Sequence, residues 1–319
     1  MRHPNKTNPV KTNKGGALLT ALFIMTLVAI VATAMSIRLQ LDIYRTRLIN
    51  SHDQLYLAAQ LVTFWSMNEL NDKNKTFNKA NEQGLVAQLP AKMEKLYKQV
   101  TIKGELYDLQ GRINLNNLTD KRFIPTLIAL QKNLQINNDN QNKAISLSVF
   151  DWLSTYNLGR GKDNYMSYYL GQKPPYLPSH QLMQSTTEFR LIKDVSATQY
   201  QALQPYIIAV PDATAINLNT APRVVLKSLG GGISDSRLEE LLAARGTEGI
   251  KRINDITELL KKMNLSSGQV TIQSQYFLSV AYASSDDFNL VVYTVYKRSL
   301  DAKNKAHVGI VRESINSFN

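Results

Sequence analysis

The sequence contains no cysteine among its 319 residues. Disulfides, thiolate metal sites and a cysteine nucleophile are therefore excluded. The lack of cysteine does not identify a compartment, because exported proteins can also do without it.

The sequence also lacks the patterns typical of an enzyme or an ATP-driven motor. It has no G-x-x-x-x-G-K stretch and nothing that resembles a nucleophile elbow. Its four histidines are far apart and do not have the spacing of metal ligands. They are His3, His52, His180 and His307. We therefore expect no enzymatic activity.

Acidic residues are outnumbered by basic ones, and the formal net charge is +12. Such a balance can indicate a nucleic-acid or membrane partner. Apart from a leader that holds four cations and no acid, the basic residues are spread along the chain. The leader cations are Arg2, Lys6, Lys11 and Lys14. With 44% apolar residues a packed core is expected, and we interpret the remaining charge as a solvated basic surface.

One segment near the N-terminus has no charge for 23 residues, from Gly15 to Ile37. A helix of that length spans roughly 35 Å at about 1.5 Å per residue, enough to cross a hydrocarbon core of about 30 Å. The basic leader favours a cytoplasmic position for the residues before it. We predict one membrane-spanning helix, with the rest of the chain on the other side.

A cleaved secretory signal is the competing interpretation of this segment, with Ala32-Thr33-Ala34 as its cut site. The apolar region of such a signal is normally about 7–15 residues long. Here the helical spacing of apolar residues continues among charges, and no proline or glycine interrupts the stretch from Ala17 to Glu69. The pattern therefore predicts one helix that runs through the membrane and on into a soluble domain.

The remainder of the chain is predicted to be helical in the middle and β-structured at its end. Gln99 to Leu109 alternates like an edge strand, and three strands are expected near the C-terminus as a small antiparallel meander. The helical segments are Asp120–Leu134, Ala144–Tyr156 and Ala197–Ile207, and a long loop from Gly159 to Pro178 contains four tyrosines.

The tetrapeptide I-N-L-N occurs twice, at Ile113–Asn116 and at Ile216–Asn219. Each copy precedes a helical segment, so we interpret it as a short strand that feeds a helix. Asn or Thr would cap that helix, and Pro222 would lie near its first turn. Asparagine side chains that act as binding ligands are the alternative.

Two short helices around Gly230-Gly231-Gly232 resemble a helix-hairpin-helix, a module often used to grip DNA phosphates. A helix N-terminus with glycine amides suits an anion. The second helix, however, opens with Asp235, Glu239 and Glu240, whereas a phosphate contact needs Lys or Arg. We therefore expect a structural helical domain, with a membrane-anchored DNA-binding protein of a competence pilus as the alternative function.

The N-terminal pattern resembles a type IV pilin or a type II secretion pseudopilin. The resemblance implies that a prepilin peptidase cuts after Gly15 or Gly16 and leaves a methylated Gly16 or Ala17 at the mature N-terminus. Most of the family has Glu at mature position five, where it pairs with a neighbouring subunit's new N-terminus. Here that position is Thr20 or Ala21, so ordinary lateral packing is not implied.

The order of motifs over nearly the whole chain resembles one family, the minor pseudopilin K of the type II secretion system (general secretion pathway protein K). After the long helix come a strand, G-R-I-N-L-N-N-L, a helix with D-W-L, E-F-R-L-I-K-D-V, I-N-L-N-T-A-P with the helical hairpin, and strands that end near V-G-I-V-R. In this family the position-five Glu is characteristically missing.

The resemblance implies an α+β fold in which a long pilin-like N-terminal helix packs on a small antiparallel sheet. A large all-α domain with the helix-hairpin-helix-like segment is inserted into it. The implied parts are a cleaved leader (1–16), a transmembrane helix (17–37), the first part of the pilin-like domain (38–118), the inserted domain (119–268) and the C-terminal strands (269–319).

The implied function is that of a minor pseudopilin at the tip of the pseudopilus. It would initiate assembly with the minor pseudopilins of the I, J and H types and support export of folded periplasmic proteins. The other implied partners are the major pseudopilin, the prepilin peptidase and the inner-membrane assembly platform, without nucleic acid. The implied location is the inner membrane, with the N-terminus in the cytoplasm and the soluble domain in the periplasm.

Calcium is the one cofactor that the resemblance raises, because relatives can bind it in an acid-rich loop after an Asp-Trp helix. The corresponding stretch here keeps Asp151 and Asp163, but Ser154 and Tyr156 stand where acids are usual. Calcium takes about six to eight oxygen ligands, several of them carboxylate. We therefore expect no tight calcium site.

Overall fold

The structure, a computed structural model, describes residues 14–97, 99–155, 166–266, 268–285, 288–301 and 305–318. The chain divides into two compact units, of which the first ends at Gln54 and the second begins at Leu55.

Helix α1 runs from Lys14 to Asn71 without a break. This confirms the predicted single helix. The observed helix begins three residues before Ala17, where the predicted stretch starts. In the first unit its apolar side chains, from Leu18 to Ile37, are exposed. Among the described residues α1 is the helix that is long and apolar enough to cross a membrane.

Among its described residues the second unit contains nine strands and eight further α-helices. The strands are β1 (Leu85–Gln88), β2 (Thr101–Asp108), β3 (Ile113–Asn114), β4 (Ile207–Ile208), β5 (Ile216–Asn217), β6 (Val270–Thr271), β7 (Tyr276–Ser284), β8 (Asn289–Leu300) and β9 (Ala306–Ile315). The helices are α2 (Ala91–Glu94), α3 (Ile124–Asn133), α4 (Asp139–Leu153), α5 (Met166–Leu170), α6 (Ala197–Leu203), α7 (Arg223–Ser228), α8 (Asp235–Arg245) and α9 (Thr257–Lys262).

The main sheet has five antiparallel strands in the order β1-β2-β7-β8-β9. The C-terminal meander is therefore confirmed. The prediction that Gln99–Leu109 forms an edge strand is wrong, because β1 pairs with β2 and lies outside it. Alternation of apolar and polar residues reports two different faces of a strand and says nothing about its place in the sheet.

The sheet packs against the part of α1 that belongs to the second unit. Buried side chains of this helix, such as Leu55, Val62 and Leu70, share one core with Ile102 of β2 and Tyr296 of β8. The contact is close because β2 carries a glycine. A Cβ atom on Gly104 would lie 2.6 Å from Cγ1 of Val62 and 3.0 Å from Cβ of Leu89.

The chain between β2 and β7 is mainly helical and has its own hydrophobic core. Large buried residues of this core include Trp152, Tyr169 and Phe189. Two pairs of parallel strands lie within this part, β3 with β4 and β5 with β6.

Several predicted element limits in the helical part need correction. Helix α4 begins at Asp139 rather than Ala144, because Asn138 accepts a hydrogen bond from the backbone of Gln141 and so caps the helix there. Helix α6 ends at Leu203, and a 3₁₀ turn that contains Pro205 leads into β4. The predicted loop from Gly159 to Pro178 contains α5, of which Tyr169 is fully buried.

Candidate functional site

The predicted processing site lies at the start of α1. Gly15 and Gly16 are in its first turn, and a Cβ atom on Gly16 would meet no other group within 4 Å. The Thr20 hydroxyl donates to the carbonyl oxygens of Gly16 and Ala17, at 3.1 Å and 3.0 Å. At one of the two candidate positions for the missing glutamate, the helix therefore carries a polar group that its own backbone satisfies.

Both copies of I-N-L-N form the same local turn. The side chain of the first asparagine accepts a hydrogen bond from the backbone N–H of the second, which is Asn114 to Asn116 at 3.2 Å and Asn217 to Asn219 at 3.0 Å. Asn114 also caps a 3₁₀ helix at Leu115–Thr119, as the sequence predicts. In the second copy Pro222 is itself the N-cap of α7, and no side chain caps that helix.

In each copy the side chain of the second asparagine bonds to both the main-chain N–H and the main-chain carbonyl of one residue in a distant loop. The Asn116 amide accepts from the N–H of Met183 at 2.8 Å and donates to its carbonyl at 3.0 Å. Asn219 does the same with Ile250, at 2.7 Å and 3.0 Å. These buried asparagines, which we call the asparagine clamps, bond to the protein's own backbone and are therefore structural rather than ligands for a second molecule.

A buried carboxylate joins the end of β2 to the second clamp. Asp108 is fully buried, and its oxygens accept from several donors. These are the backbone N–H of Gln110 (2.8 Å), the Asn217 amide (2.9 Å) and the hydroxyls of Thr220 (2.6 Å) and Ser274 (2.7 Å). Burial raises the pKa of the Asp108 carboxyl, and the donors partly offset that rise.

Gln110 and Gly111, which follow β2 closely, tighten the same junction. The Gln110 amide donates to the carbonyl of Ala215 at 2.9 Å and accepts from the N–H groups of Gln275 and Tyr276. A Cβ atom on Gly111 would lie 2.9 Å from the carbonyl oxygen of Thr220, so the backbones touch there. The sheet and the helical part of the second unit are therefore joined by hydrogen bonds and close backbone packing at this point.

The glycine hairpin between α7 and α8 packs against the protein itself. A Cβ atom on Gly230 would lie 3.1 Å from a methyl of Leu265, and one on Gly231 would lie 3.1 Å from Cβ of Pro125. The first turn of α8 is acidic, and Lys227 forms an ion pair with Asp235 at 2.7 Å. The acidic first turn of α8 and the packing of both glycines against the protein do not suit a DNA phosphate.

The candidate calcium ligands are Asp151 and Asp163. Asp151 lies near the end of α4 and is half-buried, whereas Asp163 lies outside the described residues. In the part of the chain that the structure describes, no group of three or more His, Asp or Glu side chains could hold a metal ion. The described histidines, His52, His180 and His307, are on different elements.

Sequence reasoning missed Asp108 and the clamping role of the asparagines. The local signal for Asp108 is the polar turn D-L-Q-G directly after an alternating strand. Its partners are more than 100 residues away in the chain, apart from Gln110. No local pattern could therefore assign them.

A long helix on an antiparallel sheet, interrupted by a helical part between β2 and β7, defines the class of the molecule: a pilin-like fold of the minor pseudopilin type. The family description "Type II secretion system (T2SS), protein K" matches residues 111–212 and 216–277, together just over half of the chain. The chain belongs to the type II secretion system protein K family, whose members are structural components of the secretion machinery.

Relatives and a solved structure agree with this assignment. The type II secretion system protein K of Aeromonas hydrophila is 28% identical and aligns with 91% of this chain and 94% of its own length. That of Pseudomonas aeruginosa is 26% identical, over 91% of this chain and 90% of its own length. The crystal structure of the GspK-GspI-GspJ complex from enterotoxigenic Escherichia coli contains a chain with a TM-score of 0.61 and 20% identity, covering 86% of this chain and 99% of that one. At this identity the likeness shows the fold.

Proposed function

We propose that this protein is a prepilin-type minor pseudopilin that acts at the tip of the type II secretion pseudopilus and initiates its assembly. It would be processed after Gly15 or Gly16 and then remain in the inner membrane through the apolar helix 17–37. Family membership together with an unbroken α1, whose basic start and glycines precede the apolar run, is the observation that carries the proposal.

The start of α1 fits a subunit that has no neighbour above it. A carboxylate in an apolar helix is costly and needs a partner, about 2.5–3.5 kcal/mol on insertion scales. Thr20 needs none, because its hydroxyl donates to Gly16 and Ala17 within the same helix. Thr26 and Thr33 bond in the same way to Phe23 and Ala29, at 2.8 Å each.

The second unit offers a surface for the other minor pseudopilins. Leu57 and Phe64 lie two turns apart on α1, and 61% and 67% of their surface is exposed. Leu61 lies between them and is partly buried. We call these three residues the α1 ridge. The chain matched in the solved structure belongs to a complex with GspI and GspJ, and we propose partners of these types, and of the H type, for the ridge.

The first experiment determines the mass of the mature N-terminus from membranes that contain the native secretion machinery. A start at Gly16 or Ala17, with a methyl group on the new amine, is expected for the wild type. Replacing Gly15→Leu and Gly16→Leu together should leave the leader attached, because the chain would no longer carry the glycine after which the peptidase cuts. A side chain placed at position 16 would enter open space, so the variant should still form its helix.

The matched control replaces Ala32→Leu and Ala34→Leu, which removes the small residues of the competing secretory cut site. Processing of this variant should be normal. The proposal would be contradicted if the mature chain began after Ala34 and if this processing were blocked only in the control variant. The protein would then be an ordinary secreted protein and not a membrane-anchored pseudopilin.

The second experiment uses the absence of cysteine, which makes the wild type an unreactive background. A photoreactive maleimide attached to Leu57→Cys or Phe64→Cys should crosslink to other minor pseudopilins in assembled membranes. Gln201→Cys, on the exposed surface of α6, is the control and should give no such product. Equal yields from all three positions would reject the ridge as the contact surface.

A further inference from the structure

A cleft in the second unit gathers basic side chains from parts of the chain that are far apart in sequence. Its volume is about 560 Å³. Arg112 comes from the turn after β2, and Arg223 and Lys227 come from one face of α7. Glu82 is the acidic residue among the described ones that line it. The cleft therefore carries an excess of positive charge.

Arg112 is held in place and has donors to spare. Its backbone follows Gly111, which packs tightly on Thr220, and its own N–H donates to the carbonyl of Leu109 at 3.2 Å. The guanidinium is partly buried and makes one long hydrogen bond, 3.4 Å to the carbonyl of Gln83. In the described part of the chain no carboxylate lies within 4 Å of it.

The charge of Asp108, which acts on Arg112, does not satisfy these donors. Burial lowers the pKa of Arg112, and the charge of Asp108 partly opposes that effect. The oxygens of Asp108, however, already accept from Thr220, Ser274 and the other donors described above. A guanidinium has five N–H donors in a planar fork that matches a carboxylate.

The other two cations can turn toward a ligand at little cost. Arg223 is paired with Glu239, and Lys227 with Asp235. The side chains in both pairs are well exposed, and such surface pairs typically contribute about 0–1 kcal/mol. They therefore compete weakly with an anion that enters the cleft.

The walls of the cleft also include apolar surface from Tyr206 and Val224. A volume of this size falls within the range of about 300–1,000 Å³ that is typical of ligand pockets. An inorganic anion would leave this apolar surface uncovered. A carboxylate carried next to an apolar side chain would fill both parts.

We propose that the cleft binds an acidic segment of a partner polypeptide, with one carboxylate on the Arg112 fork, Arg223 and Lys227 around it, and a neighbouring apolar side chain on Tyr206 and Val224. Charge-assisted bidentate bonds of this kind are the stronger hydrogen bonds in proteins. This goes beyond the proposed assembly role, and the test does not require assembly.

The test measures binding of short peptides to the purified full chain in detergent by titration calorimetry. The probes are acetyl-Leu-Glu-Leu-amide and its neutral match, acetyl-Leu-Gln-Leu-amide. We expect the acidic peptide to bind at least about tenfold more tightly than the neutral one, and this difference to shrink with added salt. Equal affinities for both peptides would overturn the proposal, as would displacement by an equal concentration of inorganic phosphate.

Variants then assign the site. Arg112→Gln should abolish the preference for the acidic peptide, and Arg112→Lys should lose most of it, because the charge stays but the fork is gone. Arg237→Gln, an exposed cation of α8, is the matched control and should bind like the wild type. Unchanged binding by Arg112→Gln would overturn the proposal.

A second pair of variants covers the case in which Arg112→Gln does not fold, as judged by its thermal melt. Arg223→Gln changes an exposed position and Lys227→Gln a half-exposed one, so both should fold. Each should weaken binding of the acidic peptide about threefold or more without affecting the neutral one. If neither does, the acidic peptide binds elsewhere and the assignment of this cleft is wrong.

Discussion

At the scale of single residues, the asparagine clamps determine how the helical part of the second unit is held together. Each clamp satisfies the N–H and the carbonyl of one buried loop residue that has no strand partner to do so. A buried backbone group without a partner is expensive, so the clamps replace secondary structure at these two loops.

Removing a clamp should therefore be costly. In Asn219→Ala the main-chain N–H and carbonyl of Ile250 lose their partner, at about 1–3 kcal/mol for each group left unpaired. Asn116→Ala should show a similar loss, since Met183 is held in the same way. Urea unfolding of the purified chain measures the effect. Asn140→Ala, on the exposed face of α4, should change stability little, and an equally small effect of all three would refute the clamping role.

A pH effect is expected at Asp212. Hydrogen bonds from Lys297 and Tyr276 hold the pKa of the Asp212 carboxyl below its usual range. A depressed pKa means that the contribution to stability is complete above the unfolded value, about 3.9, and is lost as the pH falls through the lower folded value. Thermal melts between pH 7 and pH 2.5 should therefore show a smaller acid-induced loss in Asp212→Asn than in the wild type.

The control for this prediction is Glu258→Gln, which removes an exposed pair with Lys261 within α9. Its melting profile against pH should match that of the wild type. If the melting temperature of Asp212→Asn changed with pH in the same way as that of the wild type, the contacts of Asp212 would not contribute to the stability of the fold.

At the scale of elements, what could be predicted from the sequence depended on how local the signal was. Helix α1 was predictable because its hydropathy and lack of breakers extend over dozens of residues, and β7 to β9 because β-branched and aromatic residues recur over nine or more. The two-residue strands β3 and β5 were predicted from the repeated I-N-L-N, whereas β4 and β6 were missed, since two residues have no period.

The candidate sites divide in the same way. Gly15 and Gly16 were assigned from one contiguous segment and its resemblance to prepilins, and they stay a prediction. The cleft lined by Arg112, Arg223 and Lys227 could not be predicted from the sequence. Arg112 is more than 100 residues from the other two cations, and they meet only after folding. Asp108 was missed for the same reason.

The packing of α1 on the sheet should depend on Gly104. Gly104→Ala places a methyl group 2.6 Å from Cγ1 of Val62, so the helix or the strand must shift. Overpacking of this kind typically costs about 1–3 kcal/mol. Gly309→Ala, also within a strand, meets nothing within 4 Å and should change stability by about 0.5 kcal/mol or less. Comparable unfolding midpoints for the two variants would show that the close approach is relaxed in solution.

At the scale of the whole molecule, the second unit should fold without the apolar helix. A chain that starts at Ser51 keeps every buried residue of α1, from Leu55 to Leu70. We expect it to remain soluble after membrane removal and to melt within a few degrees of the full chain in detergent. A chain that starts at Glu69 loses Val62 and Trp65 from the core and should not fold. Aggregation of the longer fragment would show that the apolar helix is needed for folding itself.

The order of strands has a consequence for how this chain folds as it is made. Strand β2 is synthesised early, but one of its two neighbours, β7, follows only after the entire helical part. Until then one edge of β2 is open, and the closure of so long a loop carries an entropic cost that short-range contacts do not offset. The helical part, which can collapse around its own core, should therefore form first and bring the two strands together. A ribosome-bound chain that stops before Tyr276 would thus have a folded helical part and an unfinished sheet, open to pairing with the wrong strand.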